Sequence, residues 1–153
     1  MRAVLQRVKR AACRVDGEIC GQCGLGLLIL LGVHKDDTEK DAELLAEKIS
    51  KLRIFKDEND KMNLSLIDVG GQALVISNFT LYASYGHGNR PAYFDSMEPE
   101  GANRLYTCFS ELLSQKISNV ETGEFGAEMF IESELYGPVT IVMDSDVLKK
   151  SKK

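Results

Sequence analysis

Residues 73–84 read ALVISNFTLYAS, an apolar run that three polar side chains interrupt. The β-branched and aromatic residues of this run are typical of a buried strand. Ser77, Asn78 and Thr80 need hydrogen-bond partners, because an unpartnered buried polar group costs about 1–3 kcal/mol. Two interpretations fit this pattern. The three side chains bond the backbone at a bulge or strand end, or the strand breaks here to present hydroxyls and free N–H groups to a ligand.

The segments around this run predict a sheet and two helices. Residues 25–33, LGLLILLGV, are too continuously apolar for an edge strand and are expected in the middle of the sheet. Helical spacing of apolar residues predicts helices at 38–52, behind a capping box that starts at Thr38, and at 99–116, behind Pro99. Asp16-Gly17 predicts a two-residue hairpin turn. Further strands are expected at residues 2–8, 11–15, 18–20, 54–55, 120–125, 129–134 and 139–144.

Strands outnumber helices by more than two to one in this reading. The sequence therefore predicts a mixed α/β fold, with a largely antiparallel sheet or split barrel and helices on one side. The 153 residues are expected to form one domain over residues 1–146. Residues 147–153 are expected to be a solvated basic tail, with RNA contact as a minor alternative.

Charge and hydropathy exclude two classes of partner. No apolar run approaches the roughly 20 residues that a membrane helix needs, so no membrane contact is expected. The N-terminus lacks the apolar core of a signal peptide, which predicts a cytoplasmic protein. A net charge of −4 argues against extended binding along a nucleic-acid backbone. That charge leaves room for binding only the end of an RNA.

The four cysteines are predicted to be structural thiols. Cys20 and Cys23 form a C-x-x-C, but a zinc site needs a second such pair or suitably spaced histidines. A redox C-x-x-C opens a helix after a strand, whereas this pair lies among glycines between strand-like segments. No metal is therefore expected.

Few side chains have the pattern of a catalytic group. A Ser77–His87 dyad is conceivable, although His87 lies in a glycine-rich loop without an orienting partner and is more simply solvated. No phosphate-binding or dinucleotide motif is present. Gly137-Pro138 interrupts strand-like sequence, and by local sequence a plain turn before the last strand is the favoured interpretation. The alternative is that the pair, whose X-Pro bond can be cis, turns its carbonyl groups toward a ligand.

An ordered series of segments resembles the D-aminoacyl-tRNA deacylase family, first described on D-tyrosyl-tRNA. The matching segments run from residue 1 to residue 144: MRAVLQRV, VDGE, GLLILLGV, LAEKISKLRIF, KMNLSLIDVGG, SNFTLYA, NRPAYF, ETGEFGAEM and GPVTI. The resemblance implies a three-layer β/β/α sandwich and a homodimer with active sites at the subunit interface. It also implies hydrolysis of the ester that joins a D-amino acid, or mischarged glycine, to the aminoacyl-tRNA 3′ end, without a cofactor.

The same resemblance assigns site residues. The family's S-Q-x-T motif falls on Ser77, Asn78, Phe79 and Thr80, where backbone N–H groups would stabilise an oxyanion. Its G-P motif, a cis peptide that reaches into the neighbouring subunit's site, falls on Gly137 and Pro138. The carbonyl groups of that motif would hold the substrate's amino group so that an L side chain collides with backbone. Met129 matches a methionine near the pocket wall.

The chain departs from the family pattern at three places. Asn78 replaces a glutamine, Leu135-Tyr136 replaces Asn-Asp before Gly137, and the loop YGHGN replaces a more basic stretch. Two other hypotheses therefore stay open. One is a divergent, non-catalytic paralogue that binds tRNA or another nucleic acid, and the other is a small-molecule hydrolase that uses Ser77 or His87.

Overall fold

A computed structural model describes residues 1–151 and contains eight strands and three α-helices. The strands are β1 (Arg2–Val15), β2 (Glu18–Cys23), β3 (Gly26–Gly32), β4 (Phe55–Lys56), β5 (Met62–Leu64), β6 (Gln72–Ser77), β7 (Asn119–Thr122) and β8 (Phe130–Asp144). The helices are α1 (Glu39–Lys51), α2 (Pro99–Ser114) and α3 (Ser145–Lys150), with a 3₁₀ helix at Phe79–Tyr82. No helix among these residues is long and apolar enough to cross a membrane.

The main sheet is mixed and nearly closed, which confirms the predicted fold class. β1 pairs antiparallel with β2, β3 and β8, while β3–β6 and β6–β7 are parallel. β2 approaches β7 so closely that a Cβ on Gly21 would lie 2.2 Å from the carbonyl oxygen of Thr122. Only glycine fits at this position, and its missing side chain lets the barrel close. A small second sheet joins β4 and β5.

β3 lies inside the sheet and is buried on both faces, as its apolar sequence predicts. Leu27, Ile29 and Leu31 face a core that they share with α1 and α2, whereas Leu28 faces a second core inside the barrel. β6 repeats this alternation. Two cores around one pair of strands give a layer of helices and two layers of sheet.

The predicted helix and hairpin signals are confirmed. Thr38 caps α1 in a capping box with Asp41, and the Glu98 side chain accepts hydrogen bonds from the first turn of α2 next to Pro99. Asp16 and Gly17 both have positive φ, at 51° and 82°, as a tight two-residue hairpin turn requires.

One strand replaces two predicted strands near the C-terminus. Residues 129–134 and 139–144 were expected to be separate, but β8 runs through both segments as a single pairing partner of β1. Gln6 pairs with Thr140 and Val8 pairs with Leu135, so residues 136–139 stand opposite Arg7 alone. Gly137 and Pro138 therefore lie in a wide bulge, and long-range pairing with β1 joins segments that local sequence separates.

The basic C-terminal segment also differs from the expected tail. α3 begins at Ser145, and Leu148 packs against the main core. Lys149 forms an ion pair with the buried Asp41 at 2.6 Å, and Ser145 Oγ donates to the same carboxylate at 2.6 Å. The partner for this lysine comes from α1, so the local sequence gives no sign of it. Residues 152–153 of the expected tail lie outside the described residues.

The lowered pKa of Asp41 predicts that the contact between Asp41 and α3 weakens in acid. Burial alone raises the pKa of Asp41, but hydrogen bonds from Lys149, Ser145 and the Thr38 N–H outweigh burial and lower it to about 2. Because the unfolded pKa lies near 3.8, this stabilisation is complete above about pH 4 and is lost as the pH falls towards 2. Asp41→Asn should lower the free energy of unfolding at pH 7 by about 3 kcal/mol.

Urea unfolding between pH 2 and pH 7 measures this effect. The difference between wild type and Asp41→Asn should shrink across the acidic window. Asp146→Asn, which changes an exposed carboxylate that also pairs with Lys149, is the matched control and should change stability little. Equal losses in the two variants would show that the buried carboxylate has no special role.

Candidate active site

A cavity of about 510 Å³ opens where β6 ends. It lies between the 3₁₀ helix, the start of α2 and the connection from β7 to β8. Its walls are mostly apolar, with a few polar groups near the end of β6. The lining residues are Val33, Ser77, Asn78, Phe79, Tyr93, Ser96, Met97, Pro99, Ala102, Phe125, Gly126, Ala127 and Met129. Such a mixture is typical of a site that binds a small group of defined shape.

The chain leaves the sheet at Asn78. Ser77 still pairs with Leu31, and the Asn78 N–H donates to the Leu31 carbonyl oxygen at 2.8 Å. The 3₁₀ helix then begins at Phe79. The first N–H groups of a helix have no acceptor within the helix. In residues 1–151, no group outside this helix accepts a hydrogen bond from the Phe79 or Thr80 N–H. Two adjacent main-chain donors are therefore free at the strand end.

Two of the polar side chains at this break, those of Asn78 and Thr80, bond each other. Thr80 Oγ1 donates to Asn78 Oδ1 at 2.5 Å. This bond holds both side chains beside the 3₁₀ helix. These two side chains bond each other and not the backbone, while the Phe79 and Thr80 N–H groups have no acceptor among residues 1–151.

Other elements fix the position of this turn. Ser96 Oγ donates to the Phe79 carbonyl oxygen at 3.0 Å, and the rings of Phe79 and Tyr93 meet edge to face at 4.9 Å. Tyr106 on α2 donates through its hydroxyl to the Val75 carbonyl oxygen at 3.0 Å. The free donors thus lie on a strand end that is held from two sides.

Met129 also lines the cavity. It packs against the core inside the barrel, and a Cβ on Gly123 would lie 2.6 Å from its sulfur. The structure therefore brings Ser77, Asn78, Phe79 and Met129 to one cavity, with Thr80 in the adjoining turn.

Gly137 and Pro138 do not line this cavity in their own chain. They lie exposed on the β8 bulge, their peptide bond is cis, and Gly137 has a φ of 152°. The buried Arg7 holds the base of the bulge: its Nε donates to the Tyr136 carbonyl oxygen at 2.7 Å, and its guanidinium lies 4.2 Å from the centre of the Tyr136 ring. Sequence reasoning missed this Arg7–Tyr136 contact, because an arginine in an alternating strand gives no sign of burial.

The histidine and cysteine candidates lie apart from the cavity. His87 is exposed, does not line the cavity, and makes no hydrogen bond to Ser77 among residues 1–151. Burial raises the pKa of Cys13 to about 12 and of Cys23 to about 11, so these thiols stay protonated at neutral pH. Cys20 is exposed on the other face of β2. The described residues contain no group of three potential metal ligands.

Comparison with known proteins gives consistent matches. The family model described as D-Tyr-tRNA(Tyr) deacylase matches residues 4–144. A D-aminoacyl-tRNA deacylase of Bacillus cereus (strain G9842) is 52% identical over 145 residues, which cover 95% of this chain and 99% of that protein. A D-aminoacyl-tRNA deacylase of Clostridium botulinum (strain 657 / Type Ba4) is 49% identical over 145 residues, which cover 95% of this chain and 97% of that protein.

Solved structures share the fold. The c-Myc DNA unwinding element binding protein superimposes with a TM-score of 0.89 at 37% identity, over 94% of this chain and 98% of its own. A probable eukaryotic D-amino acid tRNA deacylase superimposes with a TM-score of 0.81 at 16% identity, over the same shares of the two chains. The second likeness concerns the fold alone.

Proposed function

The chain belongs to the D-Tyr-tRNA(Tyr) deacylase family and hydrolyses D-aminoacyl-tRNA, and we propose that main-chain groups at the end of β6 carry out this reaction. The observation that supports this assignment most directly is the pair of free N–H groups at Phe79 and Thr80, beside a cavity without a suitable catalytic side chain. An ester already has a good leaving group, so stabilising the developing negative charge lowers the main barrier.

In this mechanism a water molecule attacks the carbonyl carbon of the ester. The carbonyl oxygen becomes an oxyanion that accepts hydrogen bonds from the Phe79 and Thr80 N–H groups. The bond from carbon to the ribose oxygen then breaks, the ribose oxygen takes up the proton that the attacking water has lost, and a free amino acid leaves. The neighbouring ribose hydroxyl orients the water, so no protein base and no metal are needed. Ser77 and Asn78 shape the turn that aims the two donors.

The Gly137–Pro138 bulge supplies chiral selection in this proposal. The bulge lies outside its own chain's cavity, so it acts by entering the cavity of a second copy. Its carbonyl groups hold the substrate's amino group, which leaves an L side chain facing backbone and a D side chain facing open space. Glycine has no side chain to reject, and mischarged glycyl-tRNA is therefore also a substrate.

β8 supports the homodimer that this arrangement requires. Within the part of the chain that the structure describes, the strand pairs with β1 alone, and it is exposed along most of its 15 residues. Several of its apolar side chains are solvent-exposed, including Phe130, Ile131, Leu135 and Val142. A long exposed edge with apolar side chains is a surface that proteins usually cover with another chain. We place this homodimer in the cytoplasm, where aminoacyl-tRNA is used.

A deacylation assay with matched substrates tests the proposal. Purified protein should hydrolyse D-aminoacyl-tRNA and glycyl-tRNA and leave the L-aminoacyl ester intact, with no change on adding a chelator. His87→Ala should hydrolyse the D substrate at close to the wild-type rate, because His87 lies outside the cavity. A loss of activity in both His87→Ala and Ser77→Ala would instead favour a side-chain hydrolase.

The second candidate is a nucleic-acid-binding paralogue without catalysis. The likeness to a protein named for binding a DNA unwinding element favours this alternative. Protein that retards tRNA in a gel but leaves a D-aminoacyl ester intact would support it.

A further inference from the structure

Two aromatic side chains next to the cavity are unusually exposed. Tyr85 is 82% exposed and Phe94 is 84% exposed, the highest values among the large apolar side chains in residues 1–151. Solitary exposed aromatic residues are ordinary, but these two lie in one short segment, residues 84–94, which the antiparallel bridge between Ser84 and Ala92 closes and which we call the hairpin. The hairpin also carries the exposed side chains of His87 and Arg90. This set of residues has no role in the ester chemistry.

The base of the hairpin is fixed to the rim of the cavity. Ser84 and Ala92 exchange two backbone hydrogen bonds, with N–O distances of 2.7 and 2.8 Å. Tyr93 follows this bridge directly, lines the cavity and packs against the Phe79 ring. The exposed aromatic side chains at residues 85 and 94 thus lie on either side of this bridge, and Phe94 follows a residue that lines the cavity.

We propose that Tyr85 and Phe94 bind the unpaired bases of tRNA that precede the terminal adenosine. The proposal rests on the function proposed above, since it assumes that the cavity holds an aminoacyl ester. The 3′ end of tRNA is single-stranded, so its bases offer free faces to stack on aromatic rings. Stacking on one ring contributes about 1–3 kcal/mol per base and tolerates any sequence.

Charge supports stacking as the main source of affinity here. The chain has a net charge of −4 and cannot rely on many phosphate contacts. Arg90 is exposed and forms no ion pair with the carboxylates of residues 1–151. Its planar guanidinium can therefore stack on a base or contact one phosphate. A family member whose corresponding loop is more basic would depend more on phosphate contacts and be more sensitive to salt.

An introduced tryptophan tests the contact directly. The chain contains no tryptophan, so Tyr85→Trp places a single indole in the hairpin. Uncharged tRNA with an intact CCA end should quench the indole fluorescence, whereas tRNA that lacks those three nucleotides should quench it much less. The fluorescence measurement needs no catalysis, so it tests the inference even if the proposed reaction fails. Equal quenching by the two RNAs, or none, would overturn it.

Kinetics with two substrates distinguish a role of the hairpin in binding RNA from a role in the reaction itself. Tyr85→Ala and Phe94→Ala should each raise KM for D-aminoacyl-tRNA by about 5- to 150-fold with little change in kcat. Both variants should hydrolyse D-aminoacyl-adenosine, which lacks the preceding nucleotides, as well as wild type does. Tyr85→Phe should keep the wild-type KM. Ile67→Ala removes a side chain that is 42% exposed away from the cavity, and it is the matched control.

Two results would assign the hairpin differently. If Tyr85→Ala and Phe94→Ala raise KM for D-aminoacyl-adenosine as much as KM for D-aminoacyl-tRNA, the rings support the cavity and do not bind RNA. A change in oligomeric state, measured by analytical ultracentrifugation, would show that a second copy of the chain covers them. Failure of wild type to hydrolyse either ester would contradict the proposed function and leave the fluorescence result to decide the RNA contact.

Discussion

The Phe79→Pro variant is expected to hydrolyse D-aminoacyl-tRNA about 100- to 1,000-fold more slowly than wild type. Proline has no N–H, so this substitution removes one of the two proposed oxyanion donors, and losing one such donor typically lowers kcat by that factor. Phe79 is the first residue of the 3₁₀ helix, a position that proline tolerates. The Asn78 ψ of 88° must open towards the range of about 120–160° that a residue before proline prefers, so circular dichroism should first show that the variant keeps the wild-type fold.

The matched control is Phe79→Ala. It removes the same ring and its contact with Tyr93 but keeps the N–H group. Single-turnover deacylation should therefore show a small loss for alanine and a large loss for proline, with KM changed similarly in both. Equal losses in the two variants would mean that the ring matters and the main-chain donor does not.

Gly137→Ala should lower the turnover of D-aminoacyl-tRNA by about 100-fold. The reason is that a displacement of about 1 Å in a group that positions the substrate can lower the rate by that factor. The φ of 152° at Gly137 is one that L residues rarely adopt, and a Cβ there would lie 2.4 Å from the Val139 backbone nitrogen. The bulge must therefore shift. Since Gly137 and Pro138 are exposed, the midpoint of thermal unfolding should fall only modestly.

Circular dichroism and the deacylation rate together measure this result. Gly24→Ala is the control, since a Cβ there meets nothing closer than 3.6 Å and Gly24 lies away from the cavity. Normal turnover in Gly137→Ala would remove the bulge from the proposed site. Pro138→Ala should also lower the deacylation rate. A larger loss of rate in His87→Ala than in Pro138→Ala would count against the mechanism.

Mixed dimers test whether the bulge acts across the subunit interface. In a dimer of one Phe79→Pro chain and one Gly137→Ala chain, one cavity carries both defects and the other carries neither. Random assembly of the two inactive variants should therefore restore roughly a quarter of the wild-type activity. If the bulge serves the cavity of its own chain, every cavity keeps one defect and the mixture stays inactive.

Local sequence signals predicted the regular elements well. Thr38 and Pro99 marked the beginnings of two helices, Asp16-Gly17 marked a hairpin, and residues 25–33 marked a central strand. Each signal depends on a few neighbouring residues or on the periodicity of one element. The match of residues 77–80 to a family motif likewise directed attention to a segment that the structure places at the end of β6.

Other features needed contacts between distant residues. Sequence alone favoured a plain turn at Gly137-Pro138 and two flanking strands, whereas pairing with β1 makes one strand with a wide bulge. The contact between Arg7 and Tyr136 joins residues that are 129 positions apart. Lys149 pairs with Asp41 on another helix. No periodicity or turn signal encodes such partners.

The amino-acid sequence by itself determined α1, α2, the hairpin turn at Asp16-Gly17 and the central strand β3, and it placed polar residues where β6 ends. These outcomes follow from backbone propensity, capping and the alternation of apolar side chains, which act over a few residues. Only the tertiary structure decided that the end of β6 faces a cavity and that the Phe79 and Thr80 N–H groups find no acceptor within residues 1–151. It also decided that Gly137 and Pro138 leave the sheet as a bulge. The reason is physical: a donor is free or occupied, and a chain pairs or bulges, according to what the rest of the fold places beside it.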